Sequence, residues 1–111
     1  CDLAQIRSGT LARAIDAGDA EIEKIVRRAA RQIGRGVGSL VNVLAPDVVV
    51  IGGGLVEAMP GLYLEETSAG AKRNVLPSMW KSFEIRTAEL GDYATVVGAA
   101  AWGKQCAATA T

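Results

Sequence analysis

The chain has 111 residues, half of them hydrophobic, and its twelve cationic and twelve anionic side chains cancel. This length suits one domain and is too short for two. A neutral chain lacks the basic field of nucleic-acid-binding proteins, and Arg27, Arg28 and Arg31 alternate with apolar residues. No apolar run is long enough to cross a bilayer and no segment resembles a signal peptide, so we expect a cytoplasmic protein without membrane or nucleic-acid contacts.

The sequence contains no histidine, which removes Ser-His-Asp and Cys-His catalysis and histidine-ligated zinc from this segment. Cys1 and Cys106 lie at opposite ends without metal-binding spacing, and we interpret them as reduced thiols. We therefore expect no metal site in this chain. Because the sequence begins at Cys1 without a methionine, we also expect a piece of a longer protein.

Two helices are predicted in the first part of the chain. The first covers 8–16, with Ser8 as a possible N-cap and Gly18 placed to end it. Asp19 can cap a second helix of about 24 residues, whose apolar residues recur at i, i+3 and i+4. Pro46 prevents this helix from continuing.

Three glycines, Gly34, Gly36 and Gly38, recur at every second position of the long helix. Each costs about 1 kcal/mol relative to alanine in a helix interior, so a packing or functional demand should offset the cost. One interpretation is a bare surface beside a ligand or a partner helix. The other, which we favour about two to one, is close packing of the helix onto a sheet.

The most informative stretch runs from Asp47 to Gly54. Val48–Ile51 is an apolar β-branched run, typical of a parallel strand that is buried on both faces. Gly52, Gly53 and Gly54 end it, and Leu55 begins a helical pattern. Such a turn exposes bare backbone where open α/β sheets usually bind ligands. It is neither a P-loop nor a full dinucleotide fingerprint, so a tight structural turn is nearly as well supported as a nucleotide site.

The remaining elements are a helix interrupted at Pro60, a strand over 83–88 and a final helix over 94–104. The predicted order is α-α-β-α-β-α, an α/β class. Two strands do not make a stable sheet, so the sheet in this segment is incomplete. We expect the missing strands upstream in a longer protein; another chain supplying them is the alternative.

Two ordered motifs give the chain a family resemblance. The run from Ser39 to Leu55 contains Asn42 and Pro46, then the apolar strand and the three glycines, and a second match covers 89–100. Gly18 and Asp19 ahead of the long helix also fit. Together these segments closely resemble the C-terminal lobe of the ROK family of bacterial sugar kinases and related repressors.

The resemblance implies the C-terminal part of an actin-like ATPase (ribonuclease H-like) domain. Residues 1–111 then form one segment of the nucleotide-side lobe, with 105–111 a frayed tail. Gly52, Gly53, Gly54 and Leu55 correspond to the adenosine motif, whose backbone lies against the ribose and α-phosphate of ATP. Asp92 precedes a connecting helix, and we interpret it as an N-cap rather than as a ligand contact.

The resemblance also implies what lies elsewhere. The first phosphate loop, the catalytic aspartate, the main sugar contacts and a structural zinc motif belong upstream, and no carboxylate here matches the catalytic base. The implied function is the nucleotide-binding segment of an ATP- and Mg²⁺-dependent hexose kinase, with glucokinase activity in the parent and none in the segment alone.

Three alternatives remain. A ROK-type transcriptional regulator would use the same lobe for sugar sensing and dimerisation, and a homodimer is expected in either case. A Rossmann-like fragment predicts an acidic residue about 20 residues past the glycines, whereas the next strand begins about 30 residues on. The third alternative is a module that only binds other molecules and has no catalytic role.

Overall fold

The computed structural model describes residues 6–110, which form an α/β arrangement of five α-helices and two strands. The elements in chain order are α1 (Ser8–Asp16), α2 (Ala20–Leu44), β1 (Val48–Ile51), α3 (Gly54–Ala58), α4 (Pro60–Asn74), β2 (Glu84–Thr87) and α5 (Ala94–Thr109), with 3₁₀ turns at Pro77–Met79 and Gly91–Tyr93. Helix therefore dominates, and the sheet is small. Cys1 lies outside the described residues.

The start of α2 follows the predicted signals. Gly18 has φ +88°, a left-handed conformation that suits glycine and ends the preceding helix. The Asp19 carboxylate then accepts a hydrogen bond from the backbone N–H of Ile22 at 3.1 Å, so Asp19 is the N-cap of α2. The prediction that Ser8 caps α1 is wrong, because Arg7 occupies the N-cap position and Ser8 is the first helical residue.

Helix α2 ends at a strained residue and a side-chain clamp. Ala45 adopts the left-handed conformation (φ 47°, ψ 51°), and Pro46 follows it. One turn earlier, Asn42 donates a hydrogen bond to the carbonyl of Asn74 at 2.8 Å and accepts one from the N–H of Leu76 at 2.9 Å. Asn42 therefore ties the end of α2 to the end of α4.

The two strands pair in parallel, with Val48 opposite Glu84 and Ile51 opposite Thr87. Val49 and Ile51 point toward the helices, but Val48 and Val50 are 45% and 61% exposed. The prediction that β1 is buried on both faces is thus wrong for the described residues, because nothing among them covers its outer face.

Between the strands the chain forms two helices where the predicted order counts one. Pro60 occupies the first position of α4, where its missing N–H leaves no intrahelical hydrogen bond unmade. Helix α4 therefore begins at Pro60 rather than at Leu62. Helix α5 likewise continues to Thr109, beyond the predicted end at Lys104; fraying of the 105–111 tail stays a prediction.

Glycines bring α2 and α4 into direct backbone contact. A Cβ placed on Gly34 would clash with the carbonyl of Thr67 and lie 2.9 Å from the Cα of Gly70, and one on Gly38 would lie 2.7 Å from the carbonyl of Ala71. A Cβ on Gly36 would meet open space. The favoured interpretation named a sheet as the packing partner. That was wrong, since Gly34 and Gly38 pack onto a helix of the same chain.

The apolar core lies beneath this helix pair in two clusters. One joins Val26 and Ala30 of α2 to Ile51, and the other joins Val37 and Val41 to the end of α4. The core therefore anchors β1, and with it the turn that follows. No helix among residues 6–110 is long and apolar enough to cross a membrane.

Candidate functional site

The glycine turn and the second motif segment follow the same edge of the sheet. Because β1 and β2 are parallel, the turns after Ile51 and Thr87 both leave from the carboxyl ends of the strands. The Ala88 N–H donates to the carbonyl of Ile51 at 2.8 Å and extends the pairing to the start of the glycine turn. The structure thus places 52–55 and 88–93, which are more than thirty residues apart in sequence, side by side.

The three glycines differ in what they require. Gly53 has φ +113° and ψ 165°, a conformation that L-residues rarely adopt, and a Cβ there would meet no atom within 4 Å. Its carbonyl accepts the N–H of Glu57 at 3.0 Å, so Gly53 is the N-cap of α3. A Cβ on Gly52 would instead lie 3.1 Å from the Cβ of Ala88. Gly53 is needed for its backbone conformation, and Gly52 allows close approach to β2.

One side chain lies close to the glycine turn and another lies close to the 88–93 segment. A Cβ on Gly54 would lie 3.2 Å from Oγ of Ser8, the first residue of α1. A Cβ on Gly91, which has φ +52°, would lie 2.9 Å from Oε1 of Glu57. No local sequence pattern predicts either proximity, because the residues of the two pairs are 46 and 34 positions apart.

Asp92 does not cap α5, contrary to the prediction. It lies in the 3₁₀ turn Gly91–Tyr93, and the residue before α5 is Tyr93. No side-chain capping hydrogen bond is found at the start of either element. Gly91, whose φ of +52° is left-handed, begins this turn.

The glycine turn offers exposed backbone and little else. Gly52, Gly53 and Gly54 are all exposed, and Leu55 is 37% exposed. Helix α3 has only five residues, so its dipole is smaller than that of a long helix. Bare N–H groups beside a sheet edge can accommodate the sugar and phosphate of a nucleotide. Within residues 6–110, no three His, Cys, Asp or Glu side chains lie together as metal ligands.

The strongest electrostatic feature is an ion cluster between α2 and α4. Glu66 is 5% exposed and accepts hydrogen bonds from Arg31 at 2.6 and 2.8 Å and from Arg27 at 3.0 Å. Burial alone would raise the pKa of Glu66, but the bonds and charges of Arg31 and Arg27 together outweigh burial and lower that pKa. The Glu23 and Glu66 side chains raise the pKa of Arg27 in turn.

The chain was compared with protein-family models, with characterised proteins and with solved structures. A family model described as the ROK family matches residues 2–106. A glucokinase from Halalkalibacterium halodurans is 35% identical over 85 residues, which cover 77% of this chain and 26% of the relative. A candidate sugar kinase from Cytophaga hutchinsonii has a solved structure that matches with a TM-score of 0.76 at 20% identity, over 91% of this chain and 33% of that one.

At 20% identity the structural match shows the fold alone. The chain spans about a quarter of the length of the glucokinase that it matches. The family model covers nearly the whole chain, including both segments that meet at the sheet edge. The chain belongs to the ROK family.

Proposed function

We propose that this chain is the nucleotide-binding, C-terminal segment of an ATP-dependent sugar kinase with an actin-like fold, and that the parent enzyme is a glucokinase that phosphorylates a hexose hydroxyl. The observation that carries the proposal is the meeting of the glycine turn with the 88–93 segment at the carboxyl edge of parallel strands. Family membership and the glucokinase relative support the reaction and the substrate.

In this proposal the chain contributes backbone rather than reactive side chains. The N–H groups of Gly52, Gly53 and Gly54 face the ribose and α-phosphate, where any Cβ would reduce the approach of the nucleotide. Leu55 begins α3 and borders the site. Mg²⁺ bound with ATP neutralises charge on the phosphates, and we assign it no ligand in this chain.

Phosphoryl transfer needs a base, a sugar and the γ-phosphate held together. We assign the base to none of the twelve carboxylates and place it, with the sugar contacts, in the remainder of the parent protein. The segment by itself is then catalytically inactive. In solution the parent would be a homodimer located in the cytoplasm.

The proposal is tested by Gly53→Val in the parent enzyme. Valine at φ +113° would strain the turn and place a branched side chain in the nucleotide's path. We expect the KM for ATP to rise about tenfold or more, while the KM for glucose changes less than about twofold. Steady-state kinetics with each substrate varied in turn measures both.

The matched control is Gly18→Val, which meets the same kind of strain at φ +88° with open space around it, in the turn between α1 and α2. It should lower stability without changing the KM for ATP. Equal effects of Gly53→Val on both KM values would show that the turn is purely structural. A parent that binds sugar and DNA but phosphorylates no hexose would instead be a ROK-type regulator.

A second prediction concerns the 111-residue chain itself. Since it provides one side of the nucleotide site, we expect ATP binding too weak to detect by calorimetry, with a Kd of about 1 mM or above. Submicromolar binding would contradict the half-site. Titration with Mg²⁺ present and absent separates a weak nucleotide contact from a metal effect.

A further inference from the structure

One open cleft collects half of the positive charge of a neutral chain. It has a volume of about 620 Å³ and lies along α2 and the end of α4. Six of the twelve lysines and arginines line it, whereas Glu23 supplies the one carboxylate that lines it among residues 6–110. The six cations are Lys24, Arg27, Arg28, Arg31, Arg35 and Arg73. The sequence shows these residues interleaved with apolar ones, and the helix brings them to one face.

Two of the five guanidinium groups in the cleft are held in place by a buried carboxylate. The buried carboxylate of Glu66 binds both Arg27 and Arg31, so their side chains are ordered before any ligand arrives. Within residues 6–110, Nη2 of Arg27 and Nη1 of Arg31 make no hydrogen bond. These nitrogens remain able to donate to an added anion.

The other four cations keep their charge uncompensated. Lys24, Arg28, Arg35 and Arg73 are exposed, and none forms an ion pair with a carboxylate among the described residues. Among the described residues, the Arg35 side chain makes a single hydrogen bond, at 3.4 Å to the side chain of Gln32. The cleft as a whole is therefore complementary to a ligand with several negative charges.

The spacing of the cations matches an extended chain. Arg27, Arg31 and Arg35 are four residues apart on α2, so they recur about every 6 Å along the helix. Alternate side chains on one face of an extended peptide recur about every 6.7 Å. The row from Lys24 to Arg35 covers about 17 Å, the length of about five extended residues.

We propose that this cleft binds an extended segment of a separate partner polypeptide with Asp or Glu at alternate positions. Carboxylates would pair with the guanidinium groups, and peptide N–H groups would donate to Glu23 at the rim. An extended peptide offers N–H donors to Glu23, which is already paired with Arg27, whereas polyphosphate offers none. No aromatic side chain lines the cleft, which disfavours single-stranded nucleic acid because its bases stack on aromatic rings.

The probe is a fluorescein-labelled nine-residue peptide in which glutamate and threonine alternate, titrated with the 111-residue chain and followed by fluorescence anisotropy. We expect saturable binding that weakens about tenfold or more when glutamine replaces every glutamate. Affinity should also fall between about 50 and 300 mM salt, because exposed charge pairs are screened.

Two matched double variants test whether the peptide binds in the cleft. Arg28→Glu with Arg35→Glu should weaken binding about tenfold or more, whereas Lys81→Glu with Lys104→Glu makes the same charge change outside the cleft and should change it less than about twofold. Circular dichroism checks that each variant keeps its helix content. Equal binding of the glutamate and glutamine peptides, or equal losses in the two double variants, would overturn the proposal. Displacement of the peptide by equimolar tripolyphosphate or a nine-nucleotide oligothymidylate would also overturn it, by showing a general anion surface.

Discussion

Helix pair α2–α4 and helix α5 differ sharply in how well they are packed against the rest of the structure. The pair is joined through glycine contacts, an ion cluster around the buried Glu66 and two core clusters. Helix α5 has sixteen residues and none is buried, although its composition is apolar. Helices that are apolar all round are normally buried. The comparison indicates that α2, α4 and the sheet form the stable unit, whereas packing within the described residues contributes little to α5.

The largest effect should come from Gly34→Ala. The new Cβ would clash with the carbonyl of Thr67 and lie 2.9 Å from the Cα of Gly70, both backbone atoms that cannot rotate away. Separating two packed helices should lower the free energy of unfolding by about 3 kcal/mol. Urea unfolding followed by circular dichroism measures the loss.

Gly36→Ala is the control two residues along the same helix, with nothing within 4 Å of the new Cβ. It should stabilise the chain by about 0.5–1 kcal/mol, because alanine is the better helix former. If both alanine variants gain stability, the close approach of α2 to α4 is absent in solution.

An intermediate effect is expected from Glu66→Gln. The amide cannot hold two guanidinium groups as a carboxylate does, but Arg27 and Arg31 are 35% and 42% exposed and can be hydrated. The loss at pH 7 should therefore be about 1–3 kcal/mol, below that of a fully buried pair. Glu65→Gln is the control, since Glu65 is 71% exposed and makes one contact at 3.4 Å; it should cost less than about 0.5 kcal/mol.

The same variant has a pH signature. Folding lowers the pKa of Glu66, so its stabilisation is complete above the ordinary glutamate pKa of about 4.3 and is lost as the pH falls through the lower folded value. The stability difference between wild type and Glu66→Gln should begin to narrow below about pH 4.3 and should close as the pH falls through the lower folded pKa. A difference that stays constant from pH 7 to pH 3 would mean that Glu66 is not an ionised partner of the arginines.

Capping residues, prolines and apolar runs in the sequence predicted the helices and strands whose ends they determine. Asp19 and Pro46 mark the limits of α2, and the valine run ending at Gly52 marks β1. The division at Met59 was less clear, because Pro60 can either interrupt a helix or begin one at its first position. The predicted and observed helix ends also differ where no helix-breaking residue sets the end, as at the carboxyl end of α5.

Contacts between distant residues were beyond local reasoning. Gly34 and Gly70 meet across 36 positions, and nothing near Gly34 shows that its partner is a helix. Motif spacing identified the glycine turn, but the proximity of Ser8 to Gly54 and of Glu57 to Gly91 became visible only in three dimensions. The same holds for Glu66, whose burial depends on two arginines of another helix.

The smallest effect, and the sharpest test of independence, should come from Gly98→Ala in α5. A Cβ there would meet no atom within 4 Å, and alanine favours the helix by about 1 kcal/mol. If α5 forms without support from the stable unit, its helix content should rise in circular dichroism while the free energy of unfolding of α2 and α4, measured in urea, changes by less than about 0.3 kcal/mol. If instead that free energy rises by the full helix-propensity value, α5 unfolds together with the helix pair, and the contrast between the two regions does not hold. Because Gly36→Ala makes the same exchange at an exposed site inside the stable unit, its change in the free energy of unfolding provides the reference value for that comparison.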